Sequence, residues 1–364
     1  MKKLIALLLA LVMVIGLVAC GAPEAAPEAA PEATPEAAPE AAPEAAPEAA
    51  PEAAPEAAPE AAPADGITIG YVIAGPDDYY NVSAEVVKLF GEKQGWEVIT
   101  LNSEYTPEKE ISNFEDLIAM GVDGIMCIAA NTESVQTAPN LAADAGIPTV
   151  FVSSGPAENF NTLVTGNWTY SGMTHAQYLN EKMPGAKVAL VEGASGQGIA
   201  NLIHEAFVAN YEGEIVAEHD CNWSREEAMT YTQDLIASGT EVDVIFTYND
   251  EMAAGAQQAL EEAGYAPGEI WLCSNNGKPV GLDMLEKGWM LLDIEFAPTS
   301  EAYVGALAMQ ALLEGKEVKP LIDNPAISLT PDNTEDALTW DPAEFVENAE
   351  TLLDMEATMA LILK

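Results

Sequence analysis

The feature that most constrains this chain is a regular alternation between short apolar runs and amphipathic stretches, which starts near residue 66. Residues 67–73 and 122–128 are apolar runs of strand length. Residues 107–120 instead place Ile111, Phe114 and Leu117 at helical spacing. Alternating strands and helices predict parallel sheets with helices on both faces, which is an α/β fold.

The alternation falls into two similar sets, before and after about Asn167. In the second set, strands are predicted at 187–191, 215–218, 242–246, 270–273 and 290–294, and helices at 199–210, 225–237, 251–262 and 280–287. Two sets of this size favour two doubly wound lobes over one very wide sheet.

The loops that follow the predicted strands are the candidate binding loops, because ligands of such sheets lie beyond the carboxyl ends of the strands. These loops come after Ile73, Val152, Val191, Glu218, Phe246, Cys273 and Ile294. They are rich in amides, hydroxyls and aromatic rings, and Lys278 is nearly their only cation. Such side chains suit a neutral polyol better than an anion, which needs charge-assisted donors.

Other motifs for catalysis, cofactors or metals are not evident. The glycine-rich run 193–198 lacks the Lys-Ser/Thr end of a phosphate-binding loop and the second glycine of a nucleophile elbow. The cysteines Cys127, Cys221 and Cys273 form no disulfide or zinc pattern, so we expect buried thiols. The histidines His175, His204 and His219 show no metal-ligand spacing. We therefore expect no enzyme, no cofactor and no metal.

The amino terminus predicts export. Lys2 and Lys3 precede an apolar run over residues 4–18, which is typical of a secretory signal and short for a membrane span. The sequence Leu-Val-Ala-Cys at 17–20 resembles the bacterial lipobox, which predicts a signal peptide over 1–19 and lipidation of Cys20. The alternative is an uncleaved membrane anchor.

Residues 23–63 repeat Pro-Glu-Ala-Ala, which predicts an extended, charged spacer over residues 20–65. In the polyproline limit it would reach on the order of 100 Å, enough to lift a domain off a membrane. We expect a Gram-positive surface, although the repeat length need not be tuned. The net charge of −46, with 59 acidic and 13 basic residues and no basic patch, argues against nucleic-acid binding.

Over residues 66–331 the chain resembles the type I periplasmic binding proteins, specifically the sugar carriers similar to ribose-binding protein. The most specific element is Asn-Asp-Glu-Met-Ala-Ala-Gly-Ala at 249–256, directly after a predicted strand. Asp-Tyr-Tyr at 78–80 and Ala-Gly-Ile-Pro at 145–148 support it. The resemblance implies two lobes joined by three crossovers, which close on one solute by a hinge motion.

The same resemblance implies the domain boundaries. The amino-terminal lobe would comprise 66–166 and 297–328, and the carboxy-terminal lobe 167–296 and 329–340. Residues 341–364 would form one added helix outside the resemblance.

Carried over position by position, the resemblance implies ten ligand-binding residues: Asp77, Tyr79, Tyr80, Ser153, Ser154, Asn201, Trp223, Asn249, Asn276 and Phe296. Ser153 and Ser154 stand where the family often has Asp-Arg, which argues against ribose itself. Asn249 has the alternative role of capping the helix that follows it. Trp168 is a further candidate for the cleft lining.

The resulting hypothesis is a substrate-binding lipoprotein of an ABC importer, acting as a monomer with a permease and an ATPase. Its solute would be small, neutral and polar, a monosaccharide or related polyol. The alternatives are a sensory receptor for a sugar-like or furanone signal, and a nucleoside-binding transport receptor. A repressor with this core would need DNA-binding helices where the signal and spacer stand.

Overall fold

A computed structural model describes residues 66–131, 134–154, 159–194 and 198–364. The predicted signal peptide, the lipidation site Cys20 and the spacer lie outside these residues. Within the described ranges, no helix combines the length and the apolarity that crossing a bilayer requires.

The first sheet has six strands, and every neighbouring pair runs parallel. Its order is β11-β5-β4-β3-β1-β2. The strands are β1 Thr68–Ile73, β2 Glu97–Asn102, β3 Gly124–Cys127, β4 Thr149–Val152, β5 Thr162–Gly166 and β11 Leu321–Asn324. The helices between these strands are α1 Asp78–Gln94, α2 Pro107–Met120 and α3 Ser134–Ala145.

The second sheet repeats this plan in the order β12-β10-β9-β8-β6-β7. Its strands are β6 Lys187–Glu192, β7 Glu214–Asp220, β8 Val244–Thr247, β9 Trp271–Asn275, β10 Met290–Glu295 and β12 Ile327–Leu329. The helices are α4 Trp168–Lys182, α5 Gly198–Asn210, α6 Arg225–Ala237, α7 Asp250–Glu262 and α8 Pro279–Glu286. β12 pairs with β10 in the antiparallel sense and is the one exception to parallel pairing. The predicted α/β fold with two doubly wound lobes is confirmed.

The chain passes between the two sheets three times, at residues 166–168, 295–298 and 324–327. After the second passage, α9 Pro298–Leu313 returns to the first lobe and packs against α1 and β4. Because β12 already belongs to the second sheet, the third passage lies a few residues before the predicted boundary at 328/329, which is corrected accordingly.

Apolar side chains fill both faces of each sheet. On the first sheet, Tyr71 and Val150 pack towards α1 and α9, whereas Phe114 and Phe151 pack on the opposite face. The predicted buried thiols are confirmed, since Cys127, Cys221 and Cys273 are all buried and free. Both faces of the parallel sheets are therefore covered, as their apolar strands require.

The carboxyl terminus contains two helices instead of the single added helix predicted. They are α10 Pro342–Leu352 and α11 Met355–Ile362. The break occurs because Asp354 accepts a hydrogen bond from the Ala357 backbone and caps α11 as a new helix. The fully buried Phe345 on α10 packs against Tyr303 of α9, which attaches this segment to the first lobe.

Candidate functional site

The candidate site is a cleft lined by residues from both lobes, with a volume of about 360 Å³. This volume lies in the usual range of small-molecule sites, roughly 300–1,000 Å³. Its lining comes from loops beyond the carboxyl ends of strands of both sheets and from the segment before α10. The lining residues are Asp77, Asp78, Tyr79, Tyr80, Ser153, Trp168, Ile199, Trp223, Arg225, Tyr248, Asn249, Glu251, Asn276, Lys278 and Trp340.

The first wall of the cleft is built at the start of α1. Asp77 caps this helix by accepting from the Tyr80 backbone, and its other oxygen accepts from the Tyr105 hydroxyl at 2.8 Å. Burial raises the pKa of Asp77. The Tyr79 hydroxyl lies 3.0 Å from the Ser153 hydroxyl, which joins the loop after β1 to the loop after β4. The wall therefore presents aromatic rings and fixed hydroxyl groups.

A buried carboxylate, Glu301, holds this wall from behind. It lies in the first turn of α9 and accepts from the Tyr79 hydroxyl at 2.8 Å and from the Gly166 backbone at 2.6 Å. Burial raises the pKa of Glu301 to about 7, although its hydrogen bonds act in the opposite sense. Glu301 thus connects a cleft side chain directly to the first passage between the lobes.

The second wall is built around Trp223 and Asn249. Asn249 caps α7, since its side-chain oxygen accepts from the Met252 backbone at 2.8 Å. Its amide nitrogen donates to the Trp223 carbonyl at 3.3 Å, while both residues also line the cleft. The indole of Trp223 lies against Gly193, where a Cβ atom would fall 2.1 Å from the ring. Capping and cleft lining are therefore compatible roles for Asn249.

The cations of the cleft are paired. Lys278 forms ion pairs with Glu251 and, across the cleft, with Asp78 of the first wall at 2.9 Å. Arg225 lies 3.7 Å from Glu251. The Lys278 ammonium also lies 5.6 Å from the centre of the Trp340 ring. Because carboxylates of the cleft already engage both cations, neither is free to receive an anionic ligand.

Two buried carboxyls, Asp250 and Asp293, support the second wall. Asp250 accepts from the Lys278 backbone at 2.7 Å, and Asp293 accepts from the Gly277 backbone at 3.1 Å. The two carboxyls crowd Gly281, where a Cβ atom would lie 2.6 Å from an oxygen of each. Burial raises the pKa of both groups, and the charge of Asp293 further raises that of Asp250. The pair therefore favours a shared proton.

The structure brings seven of the ten predicted site residues to the cleft: Asp77, Tyr79, Tyr80, Ser153, Trp223, Asn249 and Asn276. Trp168, the further candidate, also lines it. The other three predicted positions lie elsewhere, each for a definite reason.

Ser154 is buried and turned towards the sheet, where its hydroxyl accepts from the Ala129 backbone and donates to the Val152 carbonyl. Phe296 is also buried, because its ring packs on Trp168 with centroids 4.1 Å apart. Asn201 is exposed on α5 and lines a different cavity, beside His204. These three positions are therefore corrected and leave the candidate ligand-binding set.

The sequence analysis missed Trp340 and Glu301. Trp340 reaches the cleft from the segment after the third passage, and its indole donates to the Asn276 carbonyl at 3.3 Å. A tryptophan directly before the Asp-Pro of α10 was the available signal. Glu301 had no signal, because a glutamate in the first turn of a helix ordinarily faces solvent.

Comparisons with known proteins agree with this geometry. A family model described as a periplasmic binding protein domain matches residues 69–317. The ribose import binding protein RbsB of Bacillus subtilis is 26% identical over 266 residues, covering 71% of this chain and 85% of the relative. The xylitol-binding protein of Mycolicibacterium smegmatis is 25% identical over 292 residues, covering 76% of this chain and 80% of the relative.

Among solved structures, the fold resembles an ABC transporter solute binding protein from Bacillus halodurans with bound myo-inositol. The TM-score is 0.70 at 21% identity, over 74% of this chain and 96% of that one, which is a likeness of fold. The family model spans more than half of the chain. The protein therefore belongs to the periplasmic binding protein domain family, in the type I group of the ribose-binding proteins, and is a binding protein and not an enzyme.

Proposed function

We propose that this protein captures a small neutral polar solute, a monosaccharide or related polyol, and delivers it to an ABC importer. The observation that carries the proposal is the lining of the cleft. Aromatic side chains and neutral amides and hydroxyls face it, and its two cations are paired with carboxylates. Sugar rings offer hydroxyls to such polar groups and apolar faces to such rings, whereas an anion would have to displace an existing ion pair.

Binding proceeds by closure of the lobes. Tyr79 and Ser153 belong to the first wall and Trp223 and Asn249 to the second, so a solute of the right size contacts both at once. A solute that contacts both walls stabilises the closed form by its differential affinity. The closed form is then the one that a permease recognises, with an ATPase supplying the energy.

The relatives support this substrate class. Two of the relatives are named for ribose and for xylitol, a sugar and a polyol. We extend that class to this chain but not ribose itself, because Ser153, which lines the cleft, stands where the family often has the first residue of a charged pair.

We also propose that the protein is anchored by a lipid on Cys20 and extended from the membrane by the spacer, on a Gram-positive surface. The sequences at 17–20 and 23–63 support this. Stable anchoring requires more than one acyl chain, since a single chain gives only marginal binding. Expression with tritiated palmitate should label the natural chain, and Cys20→Ser should abolish the label. Equal labelling of the natural chain and of Cys20→Ser would contradict the proposed lipid anchor.

Isothermal titration of the purified chain tests the substrate class. The panel comprises pentoses, hexoses, polyols, nucleosides and one sugar phosphate. We expect saturable binding of at least one neutral sugar or polyol and no binding of the phosphate. Preference for a nucleoside would move the assignment to a nucleoside receptor, and binding of the anion alone would contradict the proposed site.

Trp223 provides the site-specific test. Trp223→Ala should weaken binding of the solute by about 1–3 kcal/mol, the scale of burying a large apolar side chain. Trp271→Phe is the matched control, because Trp271 lies on β9 outside the cleft lining. Equal affinities in both variants, with folding intact, would remove Trp223 from the site.

A further inference from the structure

The second lobe brings together a cluster of metal-ligating side chains that the sequence spacing did not predict. Glu192 ends β6, His204 lies on α5 and Glu218 lies on β7. The His204 Nδ1 atom is 3.1 Å from a Glu192 oxygen and 3.9 Å from a Glu218 oxygen. One ligand atom from each residue lies within 4.8 Å of the others. We call these three residues the Glu-His-Glu cluster.

These separations suit a bound transition metal. Zinc takes nitrogen and oxygen ligands at about 2.0–2.2 Å, so neighbouring ligands of a tetrahedral ion lie roughly 3–3.5 Å apart. The distance from His204 to Glu192, 3.1 Å, falls within that range, and the distance to Glu218, 3.9 Å, lies slightly above it. Only small side-chain rotations are therefore needed to bring the three atoms onto one ion.

The surroundings of the cluster also favour a cation. The cavity in front of it is lined by Glu192, Asn201, His204, Glu218, His219 and Asp220, and each of these carries an oxygen or nitrogen ligand atom. Across the described ranges, no Lys or Arg forms an ion pair with Glu192, Glu218 or Asp220. Among the described residues, Glu192 and Glu218 thus both pair with the imidazole of His204, and Asp220 adds a third carboxylate to the same cavity.

The backbone holds the cluster in place. β6 and β7 are adjacent parallel strands, and Leu190 pairs directly with Glu218. α5 packs over the same lobe through the buried Ile203, next to His204. Positions fixed by a sheet edge and a helix are well suited to a preorganised metal site.

We propose that the Glu-His-Glu cluster is a binding site for a divalent transition cation such as Zn²⁺. The metal takes the Nδ1 lone pair of His204 and one oxygen from each glutamate, the imidazole proton resides on Nε2, and any Nδ1 proton is released to solvent. Solvent or a nearby side chain completes the coordination. The ion ties α5 to the edge strand β7. This inference is independent of the solute proposed for the cleft.

The test is a titration of the chelator-treated full chain with zinc sulfate. The chain carries Cys20→Ser, so that this thiol does not compete for zinc. We expect one saturable site and a rise in the thermal unfolding midpoint, because a ligand that binds only the folded state stabilises it. His204→Gln and Glu218→Gln should each weaken zinc binding at least 10-fold.

Glu214→Gln is the matched control, because it removes a carboxylate from the opposite end of β7. It should leave zinc binding unchanged. Circular dichroism verifies that the variants are folded, and calcium chloride tests the need for the nitrogen ligand. A parent chain without a saturable zinc site, variants that bind as the parent does, or calcium binding as tight as zinc binding would each overturn the proposal.

Discussion

The two walls of the cleft are both held from behind by buried carboxyls, but in different ways. Glu301 alone supports the first wall, and both of its oxygens accept hydrogen bonds. Asp250 and Asp293 support the second wall together, and one oxygen of each lacks a hydrogen-bond partner among the described residues. The Oδ2 atoms of both carboxyls face Gly281, so a proton shared between these two atoms would give the Asp293 oxygen a partner. The first wall therefore depends on one side chain, whereas the second depends on a pair and its protonation.

The largest effect should follow from removing the single support of the first wall. Glu301→Ala opens a cavity, removes the acceptor of the buried Gly166 amide, and leaves the Tyr79 hydroxyl with Ser153 as its remaining partner. We expect the free energy of unfolding to fall by about 3–4 kcal/mol, since each unsatisfied buried donor costs roughly 1–3 kcal/mol. Urea unfolding measures it. Tyr79→Phe, which removes one of the two bonds, should cost less, and equal losses would contradict the proposed double role.

Crowding of the second wall should have the next largest effect. Gly281→Ala places a methyl group between Asp250 and Asp293, and overpacking of this kind costs about 1–3 kcal/mol. Urea unfolding again gives the value. Gly66→Ala is the control, because no atom lies within 4 Å of the added carbon there. An unchanged free energy of unfolding in Gly281→Ala would show that Asp250 and Asp293 can move apart without cost.

The pH dependence of stability tests the burial of Glu301 behind the first wall. The pKa of Glu301 is raised from 4.5 to about 7 in the folded protein. The folded state therefore holds this proton more tightly, and the cost of ionising it is absent below about pH 4.5 and complete above about pH 7. Stability should fall as pH rises from 5 to 8.

The measurable quantity is the difference between the natural chain and Glu301→Gln, which removes this titration. We expect the variant to lose about 1–3 kcal/mol of that pH dependence, at 1.36 kcal/mol for each pKa unit. The comparison is needed because His175 acts oppositely. Burial lowers its pKa to about 4, which destabilises the fold on acidification. If the stability of Glu301→Gln changed with pH as steeply as that of the natural chain, the titrating proton would belong to another group.

The smallest effect concerns the ion pair that joins the walls across the cleft. Asp78→Asn removes an exposed partner of Lys278, and such pairs contribute about 0.2–1 kcal/mol. We expect two- to fivefold faster solute release by stopped flow, with a weaker effect at high salt. Asp283→Asn, which removes the exposed partner of Lys287, is the control. Slower release in Asp78→Asn would show that the pair opposes closure.

The sequence predicted the sheets because their signals are local. Strands such as β1, β3, β6 and β8 are apolar runs followed by a helix with its own spacing, so both lobes could be placed, whereas β5 and β11 were not predicted. β12 gave no such signal, because it has three residues and pairs with β10 only once the chain has folded. The break between α10 and α11 did have a signal in Asp354, a preferred capping residue that we did not weigh.

Site residues could be predicted where they follow the ends of strands, but not where their positions depend on the passages between the lobes. Tyr79 and Asn249 lie at the starts of the helices that follow β1 and β8, where the sheet rule predicts ligand contacts. Phe296 stands at a passage, where the missing side chain of Gly166 leaves room for its ring in the core. Trp340 reaches the cleft, and Glu301 reaches the back of the first wall, from segments far along the chain. Their positions depend on the crossovers, which local patterns do not encode.

The distribution of tryptophan gives the protein its own optical reporter. Three of the six tryptophans, Trp168, Trp223 and Trp340, line the cleft. Indole emission responds to the polarity of its surroundings, so a solute that displaces water from these rings would alter the intrinsic fluorescence without any added dye. Trp168 begins α4 and Trp223 precedes α6, both in the second lobe, whereas Trp340 follows the last passage between the lobes. The emission spectrum would therefore record closure of the lobes as well as occupancy of the cleft.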